Sequence, residues 1–221
     1  MSRLARVVVP HIAHHVTQRG NGRRRTFFGD DDYRLYRDLL GAACAGAGVK
    51  VLGYCLMPNH VHLILAPTDE DGLRRALAPV HRRYAGAIHA REKRTGHFWQ
   101  GRFGAVALDE AHLAAAMRYV AFNPVRARLV RRPQDWAWSS VQTQLGLAQD
   151  AVTATADVRA LWPNFREMLE LPIDRDAFDR LRKAESVGRP LGDKAFLDRI
   201  EALTGRRLAA GKRGPKPVER A

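Results

Sequence analysis

His60 and His62 stand one residue apart inside the run CLMPNHVHLIL, residues 55–65. Polar side chains in an apolar run cost free energy unless they find partners. In a strand alternate side chains share a face, so both imidazoles lie on one side, with Cβ atoms about 7 Å apart from a rise of about 3.3 Å per residue. That separation suits two ligands on one metal ion. Two hydrogen-bonded histidines on a sheet explain a bare His-x-His at least as well, so a metal site needs a third ligand and a task. Cys44 and Cys55 lack metal-site spacing and read as small buried hydrophobes.

A second stretch that could do chemistry is RYVAFNPVRARLV, residues 118–130, where Tyr119 and Asn123 fall four apart on one helical face. If that face crosses the sheet over the histidines, Asn123 offers a carbonyl oxygen to the metal and Tyr119 aims its hydroxyl at whatever the metal binds. Two imidazoles and an amide oxygen without a thiolate leave positions for phosphate oxygens, which favours Mg²⁺ or Mn²⁺ over structural Zn²⁺. Without a metal, Tyr119 reads as a half-buried helical tyrosine and Asn123 as a helix-ending residue before Pro124. In HFWQGRF, residues 97–103, Trp99 could stack an unpaired base, and Gln100 and Arg102 could meet phosphates or base edges. A core aromatic accounts for Trp99 equally well.

These groups need a scaffold. IAHHVTQRG (12–20) alternates with β-branched residues and predicts a strand ending at Gln18 and Arg19. From Asp30, a candidate N-cap, Tyr33, Tyr36, Leu39, Leu40 and Ala43 recur at helical spacing. VKVLGYCL and HVHLILAP, separated by Met57, Pro58 and Asn59, predict a β-hairpin. A second helix runs from Asp71 to about Arg94, closed by Thr95 and Gly96, with Arg82, Arg83, Arg91, Lys93 and Arg94 on a basic face. FGAVALD (103–109) gives a fourth strand, and Asp109 caps a third helix that Pro124 ends. The order β-α-β-β-α-β is that of the ferredoxin-like α+β fold, an antiparallel sheet with two helices on one face. Residues 1–145 form the expected catalytic domain. Residues 146–221 form a helical extension, with a helix from Asp193 to about Leu203 and a flexible basic tail in which Lys212 and Arg213 suit nonspecific DNA contacts.

Composition narrows the partner. The chain has 221 residues, 46% hydrophobic, and carries a net charge of +14. That is a folded, globular composition whose charge favours a polyanion, nucleic acid before membrane surface. No apolar run approaches the roughly 20 residues of a spanning helix. The start, MSRLARVVVPHIAHH, meets Pro10 and a histidine cluster too soon for a signal peptide, so a cytoplasmic, nucleoid-associated protein is expected.

MPNHVHLIL, HFWQGRF and YVAFNPVRARLV, in this order, resemble the small single-tyrosine HUH transposases, most closely the REP-associated tyrosine transposase branch. The resemblance covers roughly residues 1–145. It implies that Tyr119 is the nucleophile, that His60, His62 and Asn123 hold a divalent cation, and that cleavage passes through a 5′-phosphotyrosine. Glutamine is common at the Asn123 position in related insertion-sequence enzymes, and asparagine is the variant expected in the REP-associated branch. The implied partner is DNA, single-stranded or hairpin, with a flanking tetranucleotide-like target. Arg19, Arg126 and Arg128 join Trp99, Gln100 and Arg102 as candidate DNA contacts. A monomer is expected, with a helix-exchanged dimer second. A noncatalytic binder of structured nucleic acid, derived from a transposase, is the alternative.

Overall fold

The computed structural model describes residues 6–172 and 174–208. Strands β1 (His14–Arg19), β2 (Val49–Met57), β3 (His60–Pro67) and β4 (Gly104–Ala107) form one antiparallel sheet in the order β2-β3-β1-β4. Helix α1 (Asp30–Gly46) joins β1 to β2, and α2 (Gly72–Glu92) joins β3 to β4. This is the predicted ferredoxin-like order. Two helix ends differ from expectation. Gly29, not Asp30, occupies the N-cap of α1, and Asp32 supplies the capping chemistry by accepting from the Phe28 N–H at 2.7 Å. Helix α2 stops at Lys93, which takes the left-handed conformation at φ 50° before Thr95 and Gly96 are reached.

Strand alternation divides the core in two. Val16, Val61, Leu63 and Leu65 face one way and pack against Tyr36 and Leu40 of α1 and Leu77 and Tyr84 of α2. The alternate positions of β3, including Ile64, face the other way, under Ala116, Met117 and Val120 of α3 (Glu110–Ala121). His60 and His62 share the face of Ile64 by the same period of two. Asp109 caps α3 as predicted, accepting from the His112 N–H at 2.8 Å. At the other end Pro124 does not release the chain into a loop. It falls in the first turn of a further helical turn, α4 (Asn123–Arg126), where a missing N–H costs nothing. Gly53 lets α3 lie close on β2, since a Cβ there would stand 3.2 Å from Met117 Sδ.

The chain after α4 wraps the sheet. The Leu56 N–H donates to Trp138 O at 2.8 Å and the Ser140 N–H to Tyr54 O at 3.0 Å, so this segment covers the outer edge of β2. An exposed strand edge is a pairing hazard, and this edge is occupied. Helices α5 (Val141–Gln144), α6 (Thr155–Leu161) and α7 (Phe165–Glu170) lead to α8 (Arg175–Val187), which packs beside α3 and against β4 and β1. A Cβ on Gly104 would come within 3.3 Å of the Glu185 carbonyl oxygen, so the absence of a side chain there lets α8 approach the sheet. Helix α9 (Lys194–Thr204) follows, capped by Asp193, which accepts from the Phe196 N–H at 2.7 Å.

One carboxylate fastens the wrap. Asp150 accepts from Tyr54 Oη at 3.0 Å, Thr143 Oγ1 at 3.0 Å and Thr153 Oγ1 at 2.9 Å, and from the N–H groups of Val152 at 2.9 Å and Thr153 at 2.6 Å. Removing a shared acceptor leaves several half-buried donors unpaired at about 1–3 kcal/mol for the costlier ones. Asp150→Ala is expected to destabilise the fold by about 2–4 kcal/mol, read as a lower urea midpoint at unchanged slope.

Two buried histidines set an acid limit. Burial lowers the pKa of His14 to about 4, against backbone hydrogen bonds to Ile12, Val7 and Leu65 that raise it. Burial, aided by Arg6, lowers that of His81 to about 3, and Tyr36 Oη lies 3.0 Å from its Nε2. The unfolded chain therefore binds protons that the folded one refuses. Stability from both groups is complete above the unfolded value of 6.5 and declines as pH falls toward 4 and 3. Urea midpoints are expected to fall between pH 6.5 and pH 4, and more shallowly in His81→Gln.

Candidate active site

The β1–β3 register sets Thr17 opposite His62 and Arg19 opposite His60. The hairpin tip is pinned on both sides: Gly20 N–H donates to Asn59 O at 2.9 Å, and Asn59 Nδ2 donates to Arg23 O at 3.0 Å. Asn59 also holds the first histidine, its Oδ1 lying 2.6 Å from His60 Nδ1. His62 Nδ1 is held in turn by His15 Nε2 at 2.9 Å, the two rings stacked at 5.2 Å between centroids. The His60 and His62 rings lie edge to face at 4.8 Å. Both Nδ1 atoms are thus engaged, while neither Nε2 has a hydrogen-bond partner among the described residues. Burial, with Arg19 and Arg126 adding, lowers the His60 pKa to about 3, and burial with its neighbours' charge lowers His62 well below the usual value. Neutral imidazoles with one free nitrogen each are the donors a divalent cation requires, so this pair fits one.

Tyr119 reaches the same place from α3. Its ring centroid is 5.5 Å from that of His62 and 5.8 Å from that of His15, and Phe178 of α8 meets it edge-on at 5.3 Å. The Arg126 guanidinium sits 4.2 Å over the ring. The side chain is buried, 4% exposed, with the Glu185 carboxylate close enough to its hydroxyl to feel it. Glu185 Oε1 lies 3.8 Å from His15 Nδ1 and 3.9 Å from His62 Nδ1. Burial pushes its carboxyl up to about 7, opposed by Arg19, Tyr119, Arg126 and Arg182. His15, His62 and Glu185 place one potential ligand atom each within 4.8 Å of one another.

Of the residues singled out in the sequence, His60, His62, Tyr119 and Arg126 come together. Asn123 is buried at the start of α4, one turn beyond Tyr119, and its amide makes no hydrogen bond to either histidine. Arg19, Gln100 and Arg102 line a cavity of about 180 Å³ with His60, Arg182 and Glu185. Trp99 is half-buried, donating from Nε1 to His81 O at 2.9 Å, and with Phe98 it lines an adjoining groove of about 590 Å³ along α2, beside Arg74 and Arg82, that shares Gln18 and Arg102 with the first. Arg128 is exposed in the turn after α4 at φ 58°. Lys212 and Arg213 lie outside the described residues. Two basic residues do other work than expected. Arg118, next to Tyr119 in sequence, is buried and donates to the carbonyls of Leu171 and Pro172. Arg91 pairs through both terminal guanidinium nitrogens with Asp32, linking α2 to α1.

His15 and Glu185 were not among the expected site residues. His15 carried a signal, since it shares strand parity with Arg19. Glu185 carried none, because nothing local distinguishes one glutamate of an amphipathic helix from another.

The sequence profile of the family described as "Transposase IS200 like" matches residues 8–123, from the lead into β1 through His60, His62 and Tyr119 to Asn123. The chain belongs to this family. It is similar to a Haemophilus influenzae protein named as a REP-associated tyrosine transposase, 23% identical over 116 residues. That stretch is 48% of this chain and 66% of the relative's length, just under two thirds. A solved REP-associated tyrosine transposase bound to a REP hairpin superposes with a TM-score of 0.58 at 21% identity, over 70% of this chain and 92% of that one. That likeness establishes the shared α+β transposase fold. The family profile ends before α8, so Glu185 and Phe178 lie beyond it. Among the described residues, no helix of this transposase is long and apolar enough to cross a membrane.

Proposed function

We propose that this IS200-like transposase cleaves and rejoins single-stranded DNA beside a hairpin, with Tyr119 as nucleophile and a divalent cation, Mg²⁺ or Mn²⁺, held by His60, His62 and Asn123. The observation that carries the proposal is the 5.5 Å between the Tyr119 and His62 rings within one chain. One phosphate bridges that distance. The tyrosine oxygen attacks phosphorus, the bond from phosphorus to the 3′-oxygen breaks, and the 3′-hydroxyl leaves with a proton, giving a 5′-phosphotyrosine. Attack by another 3′-hydroxyl reverses the step and reseals the strand. The cation, when bound, offsets charge on a non-bridging phosphate oxygen.

The chain's own residues supply the rest. Arg126 over the Tyr119 ring places positive charge where the scissile phosphate must sit. Arg19, Gln100 and Arg102, around the cavity beside His60, suit a flanking nucleotide. The Phe98 and Trp99 groove and Arg128 extend the basic surface over which a hairpin would lie, and the charge of Lys212 and Arg213 suits further nonspecific DNA contacts. The net charge and the hairpin-bound relative support DNA as partner. A nucleophile and histidine pair from the same chain support a monomer, acting in the cytoplasm at the nucleoid.

A single-stranded hairpin oligonucleotide with short flanks, incubated with the protein and Mn²⁺, is expected to give a covalent adduct on denaturing gels and a free 3′-hydroxyl fragment. A mobility shift without cleavage, unchanged by chelator, would instead mark the noncatalytic binder.

A further inference from the structure

Two buried atoms in the site have no hydrogen-bond partner, His15 Nδ1 and Glu185 Oε1, and they face each other at 3.8 Å. Both residues lie outside the His-x-His, tyrosine and asparagine set. The distance is too long for a hydrogen bond, and no other group among the described residues satisfies either atom. The neighbouring contact limits what they can be. His15 Nε2 and His62 Nδ1 are 2.9 Å apart, so one of these nitrogens carries the proton between them.

Suppose His62 presents its Nε2 lone pair to a cation. A neutral imidazole has a single N–H, so His62 Nδ1 must then be the donor and His15 Nε2 the acceptor. The proton of His15 is thereby forced onto Nδ1, facing the Glu185 carboxylate. Against an ionised Glu185 the opposite tautomer would set a buried nitrogen lone pair beside a buried carboxylate oxygen, with nothing positive between them, at the full cost of two unsatisfied acceptors. A cation seated directly among His15, His62 and Glu185 would have to displace the hydrogen bond that already occupies His62 Nδ1. The geometry points to a different assignment: Glu185 and His15 form an outer relay, Glu185 to His15 to His62, that fixes the tautomer and ring orientation of His62 so that its Nε2 faces the metal.

The relay has a structural consequence. Glu185 also stands beside Tyr119, so one carboxylate on α8 neighbours the nucleophile and, through His15, orients a metal-binding histidine. Gly104, by admitting the backbone of α8 at Glu185, is what lets that carboxylate reach the site. The helical extension is then part of the active site, although the family profile ends at residue 123. His15 and Glu185 act through His62 and are positioning residues. This inference rests on the metal reading of His60 and His62 given above.

The test uses full-length protein and two readouts. In metal-free protein, long-range ¹H–¹⁵N spectra of the imidazoles are expected to show His62 protonated on Nδ1, with that population lost in His15→Leu. By titration calorimetry, His15→Leu weakens Mn²⁺ binding by about 10–100-fold, the usual effect of losing an outer-shell partner. His15→Gln, whose amide oxygen can accept from His62 Nδ1, recovers most of the affinity, and Glu185→Gln loses less than His15→Leu. Recovery by glutamine separates positioning from misfolding. A His62 found protonated on Nε2 in the wild type, or Mn²⁺ affinity unchanged in His15→Leu, overturns the relay. Loss of all binding in Glu185→Gln, matching His60→Ala, would make Glu185 a direct ligand and overturn it as well. Wild-type protein that binds no Mn²⁺ refutes the metal reading itself, and the tautomer spectrum still judges the relay.

Discussion

Tyr119→Phe is expected to form no protein–DNA adduct and to lose cleavage by about 10⁴-fold or more, the scale seen when a covalent nucleophile is deleted. The substitution is narrow. The phenyl ring keeps its edge contacts with His15, His62 and Phe178 and its place under Arg126, so packing survives. The lost hydroxyl gives up only its place beside the Glu185 carboxylate, so stability should change by less than about 1 kcal/mol. Hairpin affinity, carried by basic side chains elsewhere, should stay within twofold. Adduct yield on a denaturing gel, with a parallel mobility shift under native conditions, separates the two effects. An adduct that persists in Tyr119→Phe would remove this tyrosine from the chemistry.

The burial of Tyr119 adds a condition. At 4% exposure its ring is enclosed, and a phosphate must approach the hydroxyl past the Glu185 carboxylate of α8. DNA entry therefore competes with α8, or uses the opening beside His60, where Arg19, Arg102 and Arg182 line the cavity.

Much of the scaffold was legible because it rests on local periodicity. The two-residue alternation of β3 set His60 and His62 on one face, whereas the four-residue spacing of Tyr119 and Asn123 did not keep them on one helix, since α3 ends at Ala121 and Asn123 opens α4. Asp109 and Asp193 announced their helices because an N-cap is a local hydrogen bond. The misses share the opposite property. Asp150 gathers donors from β2 and from its own loop, Arg118 turns to carbonyls near residue 172, and Glu185 meets β1, β3 and α3 at once. Each depends on how the extension folds back, which no short spacing encodes. Arg91 illustrates the same limit for charge: a basic helical face looked available for DNA until its tertiary partner, Asp32, was in place.

His62→Ala is the second large effect. It removes a nitrogen donor from a site whose remaining histidine, His60, is held by Asn59 but cannot bind a cation alone with useful affinity. Mn²⁺ binding is expected to vanish in calorimetry, and cleavage to fall by about 10³-fold or more, since a cation at a phosphoryl centre supplies several kcal/mol of transition-state stabilisation. The variant also strands His15 Nε2 without its partner and leaves a small buried void, costing about 2–3 kcal/mol. A loss of activity could therefore be blamed on folding. His60→Ala removes that ambiguity: His60 is less buried, its ring hydrogen bond is to the adjacent Asn59, and its loss should barely move the urea midpoint while abolishing the same metal binding. Chelation of the wild type should reproduce both variants in cleavage and neither in hairpin binding. If His60→Ala binds Mn²⁺ as the wild type does, the histidine pair is structural, and the chemistry of this transposase does not run through it.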